Sequence, residues 1–178
     1  TTYPCFECTP PGPARGLRPE HARGFDGGLG WTSPGGRLSA RLTGFDLTIR
    51  DEINYALPEG YVNIDRARTT GVEAELDAAL AWGFSLKASY TYAHARDGTG
   101  APLLRVPANA GSVELDWTHG RAEAALVVRS RSAAQDVYGV IRPFTVANLS
   151  GAWKLNDHVQ LTARAENLAD VRYQQAFG

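Results

Sequence analysis

Apolar and polar residues alternate along the chain with a period of two from about residue 21 onward. The clearest run is Val72 to Trp82, in which the even positions are apolar and the odd positions include three acidic residues. A period of two places the two sets on opposite faces of a β-strand. This run is also rich in the helix formers Ala, Leu and Glu, but the run 84–92 that follows Gly83 has the Tyr, Ser and Thr typical of strands. We therefore predict a β-hairpin.

The repeated alternation predicts an all-β fold, an antiparallel up-and-down meander of eight strands. The predicted strands are 22–32, 37–56, 61–82, 84–97, 107–118, 121–132, 143–155 and 159–168. The alternation shifts by one residue beside Gly44, which we interpret as a β-bulge. Short turns fall at one end of this sheet, and the longer links 56–61, 98–106 and 133–142 fall at the other. Such sorting is typical of an outer-membrane barrel, which has short periplasmic turns and long extracellular loops.

The two faces of the predicted sheet carry different chemistry. Aromatic residues lie near the strand ends, as expected for two interfacial girdles: Trp82, Phe84, Tyr90, Tyr92, Trp117 and Trp153. The apolar positions between them are mostly Ala, which suits lipid contact better than a packed core. The opposite, polar face is predicted to line the lumen: Glu73, Glu75, Asp77, Lys87, Arg129 and Arg164. Cross-strand ion pairs are the simpler role for most of these charges, and the three acids are placed to face Lys87.

Two other architectures are compatible with the same alternation. A soluble β-sandwich that acts as a binding module would bury the apolar face between two sheets. Eight strands could also close on themselves into a small outer-membrane barrel with a structural or adhesive role, since eight is the smallest closed size.

Composition excludes several classes of function. The chain has 178 residues with 18 basic and 19 acidic side chains, so no basic excess indicates nucleic-acid binding. The longest apolar runs have five residues, far short of the roughly 20 that a transmembrane helix needs. The four histidines are scattered and no nucleophile motif is present. We predict that the protein is not an enzyme and needs no metal or other cofactor.

Residues 1–20 differ from the rest because five prolines exclude regular structure there. They contain Cys5 and Cys8 in a C-x-x-C arrangement. A redox pair would be expected at a helix N-terminus, but Pro4 and Pro10 flank this one. We predict a loop disulfide formed in an oxidising compartment.

Several motifs occur in an order and spacing that resemble a known family. They are Gly16-Leu17-Arg18-Pro19-Glu20, Phe45 to Ile53, Tyr61-Val62-Asn63 with Gly71 to Leu76, Ser89-Tyr90-Thr91-Tyr92, Leu104 to Asn109, and Glu166 to Tyr173. From about residue 16 to its end the chain resembles the C-terminal part of a TonB-dependent outer-membrane receptor, and most closely the cobalamin-receptor branch.

The resemblance implies a 22-stranded barrel in the bacterial cell outer membrane, plugged by an N-terminal domain. Such a receptor imports a metal chelate, such as cobalamin or a siderophore, with energy from TonB. The implied partners are outer-membrane lipid, the plug and remaining strands, the TonB complex and the chelate, and no nucleic acid. Residues 1–20 would be an extracellular loop segment, and 21–178 a partial barrel that stops before the final strand. Candidate ligand contacts in the loops are Asp97, Arg105, Asp136 and Tyr138.

Overall fold

The chain forms one large antiparallel β-sheet. The computed structural model describes residues 16–56 and 60–177, so Cys5 and Cys8 lie outside the described residues. The strands are β1 His21–Thr32, β2 Leu38–Ala56, β3 Gly60–Ala79, β4 Phe84–Asp97, β5 Asn109–His119, β6 Ala122–Arg131, β7 Ala134–Asp136, β8 Gly139–Ile141, β9 Phe144–Lys154 and β10 Gln160–Ala165. Eight of them pair in the order β1-β2-β3-β4-β5-β6-β9-β10, which confirms the predicted meander.

The strand register brings residues of like character together across the sheet. Ala78 pairs with Leu86, which pairs with Leu115, and the same row continues through Leu126 to Leu149. One residue along, Asp77 pairs with Lys87 and Lys87 with Glu114. A slip of one residue in any strand would move its apolar set to the other face. The hydrophobic pattern therefore selects this register.

The predicted bulge at Gly44 is wrong. Gly44 pairs with Gly27 on one side and Val72 on the other, and the ladder continues unbroken through Phe45. What changes at Gly44 is which face carries the apolar residues. Phe45 and the apolar residues after it lie on the face that carries Glu73 and Glu75 further along the sheet. The irregularity lies further along β2, at Asp51, whose φ of 54° is left-handed.

Several strand ends differ from the prediction. β3 ends at Ala79 because Ala81–Gly83 forms a 3-10 turn, in which Trp82 takes a φ of 58° and Gly83 a φ of 79°. β10 ends at Ala165, since Asn167 is left-handed with a φ of 51°. The link 133–142 contains the small hairpin β7–β8, which strands of three residues are too short to reveal by alternation.

The sheet has almost no core along its length. Among the described residues, the buried apolar side chains are Ala67, Ala134, Ile141 and Val146. Apolar side chains along the strands are exposed, as shown by Leu29 at 80% and Leu161 at 58%. A soluble sandwich would cover such a face with a second sheet, and the described residues form none beyond the β7–β8 hairpin. None of the described helices has the length and apolar character needed to cross a membrane.

The two edges of the large sheet are β1 and β10. Within the described residues each pairs with a single neighbour, β2 and β9 respectively, and they do not pair with each other. The sheet is therefore open, and the self-closing eight-stranded barrel is not what the structure shows. An open edge exposes a row of unpaired peptide groups to which a further strand can pair.

A glycine at position 71 allows a close contact on the polar face. A Cβ there would lie 2.5 Å from Cζ of Phe45 and would collide with the carbonyl oxygen of Tyr92. We expect Gly71→Ala to lower the free energy of unfolding by about 1–3 kcal/mol through overpacking. Denaturant unfolding of the purified protein measures this. Gly44→Ala is the matched control, because the nearest atoms to its Cβ are 4.0 Å away. Equal losses in both variants would contradict the prediction.

Candidate functional site

The charged side chains of the polar face form a loose network across the strands. Nζ of Lys87 lies 3.7 Å from Oε1 of Glu114 and 3.9 Å from Oδ2 of Asp116. Asp77 is the direct cross-strand partner of Lys87, as predicted, but the ion pairs of Lys87 run to β5 instead. These side chains are more than a quarter exposed, so each pair contributes at most about 1 kcal/mol.

The register places the predicted lumen residues on one face. Glu75 is linked to Arg129 through the row Glu75–Ser89–Ser112–Arg129. Arg164 lies in the row of Asp116, and its Nη2 is 2.5 Å from Oε1 of Glu166. Glu73 occupies the same face of β3, two residues from Glu75. That this face lines a lumen stays a prediction.

The predicted girdle residues fall into two groups at different heights on the sheet. Phe84 and Trp117 are direct cross-strand partners at the short-turn end, with ring centroids 6.3 Å apart, and Trp153 lies nearby on β9. Trp82 lies in the adjoining turn with 86% of its surface exposed. Tyr90 and Tyr92 lie further along β4, toward the long-loop end. Their role as interfacial girdles stays a prediction.

An ion pair with a buried carboxylate joins two of the long loops. Asp136 at the end of β7 accepts a hydrogen bond of 2.9 Å from Nε of Arg105 and a longer one of 3.4 Å from its Nη2. The Asp136 side chain is fully inaccessible, and it also accepts the N–H groups of Val137 and Phe177. The backbone N–H of Arg105 in turn donates to the carbonyl of Gln135 at 2.6 Å. We call this arrangement the loop clip.

The loop clip changes the interpretation of two predicted ligand contacts. Arg105 and Asp136 bind each other, and the carboxylate of Asp136 is not accessible. The hydrogen bond from Arg105 is the main cause that lowers the pKa of Asp136, with the N–H groups of Phe177 and Val137 adding to it. Arg105 keeps about half of its side chain exposed. Asp136 is therefore a residue that holds the loops in place.

Asp97 has a comparable structural role, whereas Tyr138 does not. Oδ1 of Asp97 accepts hydrogen bonds from the hydroxyl of Thr99 at 2.7 Å and from the N–H groups of Thr99 and Ala101. These bonds, led by the Thr99 hydroxyl, lower the pKa of Asp97. Tyr138 lies between β7 and β8 and is 65% exposed. Of the four candidates, Tyr138 presents the most accessible side chain.

An aromatic cluster on the polar face was missed by sequence reasoning. The rings of Phe144 and Tyr173 have centroids 4.5 Å apart, and the guanidinium of Arg131 lies 5.6 Å from the Phe144 ring. A signal was present, because Phe144 has the parity of the polar face in β9. What the sequence could not show is that Tyr173, far along the chain, returns to it.

The final described segment returns because of Asn167. Its side-chain amide donates to the carbonyl of Val171 at 3.1 Å and its side-chain oxygen accepts the N–H of Val171 at 3.0 Å. Its own N–H donates to Oδ1 of Asn148 on β9. This local ring of bonds, with left-handed backbone at Asn167 and Asp170, ends β10 and turns the chain toward Phe144. Within the described residues, no three His, Cys, Asp or Glu side chains converge as a metal site.

Comparison with known proteins identifies the class. Residues 2–168 match the family described as "TonB dependent receptor-like, beta-barrel". The chain belongs to this family, and the protein is located in the bacterial outer membrane. Family membership also excludes the soluble-sandwich alternative.

Individual relatives agree with this assignment. The chain is 32% identical over 172 residues to the iron-regulated outer membrane virulence protein of Vibrio cholerae, covering 81% of this chain and 26% of that protein. It is 26% identical over 174 residues to the metal-pseudopaline receptor CntO of Pseudomonas aeruginosa, covering 88% of this chain and 25% of that one. The chain thus spans about a quarter of the length of these relatives.

Solved structures show the same fold. The copper transporter OprC superimposes with a TM-score of 0.74 at 24% identity, over 91% of this chain and 27% of that one. The ferric yersiniabactin uptake receptor FyuA of Yersinia pestis gives a TM-score of 0.74 at 16% identity, over 88% of this chain and 26% of that one. The open sheet therefore matches one sector of a larger barrel.

Removing the charge of Asp136 should release the loops. We expect Asp136→Asn to increase the rate of tryptic cleavage after Arg105 several-fold, because the arginine loses its charged partner. Cleavage is followed by mass spectrometry on the membrane-embedded protein. Asp157→Asn, in an exposed turn at the other end of the sheet, is the control. An unchanged cleavage rate in Asp136→Asn would show that the pair does not hold the loops.

The loop clip should also depend on pH in one direction. The pKa of Asp136 is lower in the folded protein than in the unfolded chain. The contribution of ionised Asp136 to folding stability is therefore complete above the unfolded pKa of about 3.9 and is lost as the pH falls through the folded pKa. Amide hydrogen exchange at Val137 and Phe177, corrected for the intrinsic effect of pH, should be constant between about pH 7 and 5 and accelerate below about pH 4. Acceleration already near pH 6 would contradict this assignment.

Proposed function

We propose that this chain is the C-terminal barrel portion of a receptor for active uptake of a metal chelate across the outer membrane. The observation that carries the proposal is one open sheet with an exposed apolar face and a charged face, in a chain of the TonB-dependent receptor family. The apolar face meets lipid and the polar face lines the lumen. The unpaired edges of β1 and β10 bind the remaining strands of a 22-stranded barrel.

The other parts of the receptor supply energy and closure. A plug domain N-terminal to the barrel contacts the polar face and connects the receptor to the TonB complex. The ion pairs of the polar face suit a wall that binds and releases a plug, because exposed pairs are weak individually and exchange partners at little cost.

An iron or other metal–siderophore complex is the favoured ligand class. Its support is the printed names of two relatives, an iron-regulated outer membrane protein and a metal-pseudopaline receptor. Cobalamin is the second candidate, supported by the order of the motifs between residues 16 and 173. Tyr138 and Arg105 are the proposed ligand contacts in the loops, because their side chains are accessible. Asp97 and Asp136 position the loops around them.

Complementation tests the uptake function. The complete receptor that contains this chain should restore growth of an iron-starved strain lacking its own siderophore receptors when a ferric siderophore is supplied. Growth should be lost when TonB is deleted, which separates active uptake from leakage. A parallel strain lacking its cobalamin receptor tests the second candidate. Growth restored by cobalamin alone would reassign the ligand, and no TonB-dependent growth with any chelate would overturn the proposal.

A pair of neighbouring positions tests which face meets lipid. Leu126 lies in the apolar row between Leu115 and Leu149, whereas Val127 lies between Glu114 and Asn148 on the polar face. Arg at position 126 should cost about 2–4 kcal/mol in the complete receptor, and Arg at 127 much less. A cysteine at 126 should react with a lipid-soluble maleimide and resist a charged one, while a cysteine at 127 should react with the charged reagent once the lumen is open. Equal labelling by the charged reagent in intact membranes would contradict the assignment.

A further inference from the structure

Basic side chains occupy two cross-strand rows near the long-loop end of the sheet. The first, upper row is formed by the direct partners His21, Arg50 and Arg66 on β1, β2 and β3. The second row, two residues closer to the short-turn end, contains Arg23, Thr48, Arg68 and Arg96. We call these residues the basic rows. All six of the basic side chains are exposed.

The basic rows lie on the apolar face of the sheet, the face that carries Leu126 and Leu149. Arg66 and Arg68 have the parity of Val72 and Ala74 in β3, and the ladder between them is continuous. The second row includes Arg96 of β4, which lies four residues beyond Tyr92. At about 3.3–3.4 Å per residue, Arg96 lies roughly 13 Å along the strand from Tyr92. This face thus changes from apolar through aromatic to cationic.

Few acidic groups balance these cations. Asp46 lies on the same face and binds Arg68. Two further acids border the region, but each has another partner: Glu20 accepts the N–H of Ile53, and Asp51 binds Arg18. Like charges placed directly opposite each other destabilise a sheet. Arg50 and Arg66 lie directly opposite each other, and among the described residues neither forms an ion pair, although Asp46 attracts Arg66 from a longer distance. The row His21–Arg50–Arg66 therefore forms a positively charged surface that favours binding of an added anion.

We propose that the basic rows bind the phosphate groups of a phosphorylated lipid in the outer leaflet of the membrane. The position favours a lipid over a soluble anion, because the face is continuous with the proposed lipid-facing band and points away from the lumen through which a chelate passes. Arginine suits this role, since its planar fork donates two parallel hydrogen bonds to a phosphate. The proposal goes beyond uptake and rests on the outward assignment of this face.

Native mass spectrometry of the complete receptor tests the proposal. The probes are diphosphorylated lipid A, the same lipid without its phosphates, and inorganic phosphate. The wild-type receptor should bind the diphosphorylated lipid at least about 30-fold more tightly than the dephosphorylated lipid. The double variant Arg50→Gln with Arg66→Gln should bind the diphosphorylated lipid about 30-fold more weakly than the wild type does. The matched control is Arg129→Gln with Arg164→Gln, which removes the same charge from the polar face and should leave lipid binding unchanged.

Three results would overturn the proposal. Equal binding of the two lipids by the wild-type receptor would exclude phosphate recognition, and this arm does not depend on the folding of any variant. Equal loss in the control variant would show that only net charge matters. Inorganic phosphate that displaced the lipid at equal concentration would identify a site for a soluble anion. The uptake assay is independent of all three, so failure here is distinguishable from failure of the proposed function.

Discussion

The rest of the structure depends on the continuous antiparallel register across eight strands. Because residues directly opposite each other share a face, a period of two in each strand becomes two chemically different surfaces of one sheet. The leucine row from Leu86 to Leu149 and the polar row through Lys87 are one residue apart. Residues 16–56 and 60–177 form no large core, so hydrogen bonds between neighbouring strands and the hydrophobic pattern must maintain this arrangement together.

The two surfaces exchange character toward the long-loop end without any change in the ladder. Below Gly44 the apolar residues of β2 lie on the apolar face of the sheet, and from Phe45 on they lie on the polar face, where the Phe45 ring lies over Gly71. The face that is apolar below Gly44 then carries Asp46 and the basic rows. Such an exchange is expected of a sheet that extends from lipid into water, because a lipid-facing side would become a solvent-facing side at the membrane surface.

Above that boundary the protein has a small core of its own and an ion pair with a buried carboxylate. Ile141 and Val146 are buried there, and Asp136 joins the loop that contains Arg105 to the β7–β8 hairpin and to the segment ending at Phe177. The loop clip leaves Tyr138 exposed at the hairpin tip. The loops that carry Arg105 and Tyr138 are thus held by an interaction that is separate from the pairing of the long strands.

The sequence alone determined the eight strands, their order and the two faces, because alternation and turn residues are local signals that eight consecutive segments repeat. The order and spacing of its motifs also showed the resemblance to the family. It placed a bulge at Gly44, where the residue pattern changes but the pairing does not. Only the tertiary structure decided which charges meet: Lys87 binds β5, Arg105 binds Asp136, and Tyr173 packs on Phe144. It also revealed the basic rows. Alternation assigns each residue to a face, whereas contacts between distant segments also depend on the exact pairing of strands and on loop closure, which the neighbouring residues in sequence do not specify.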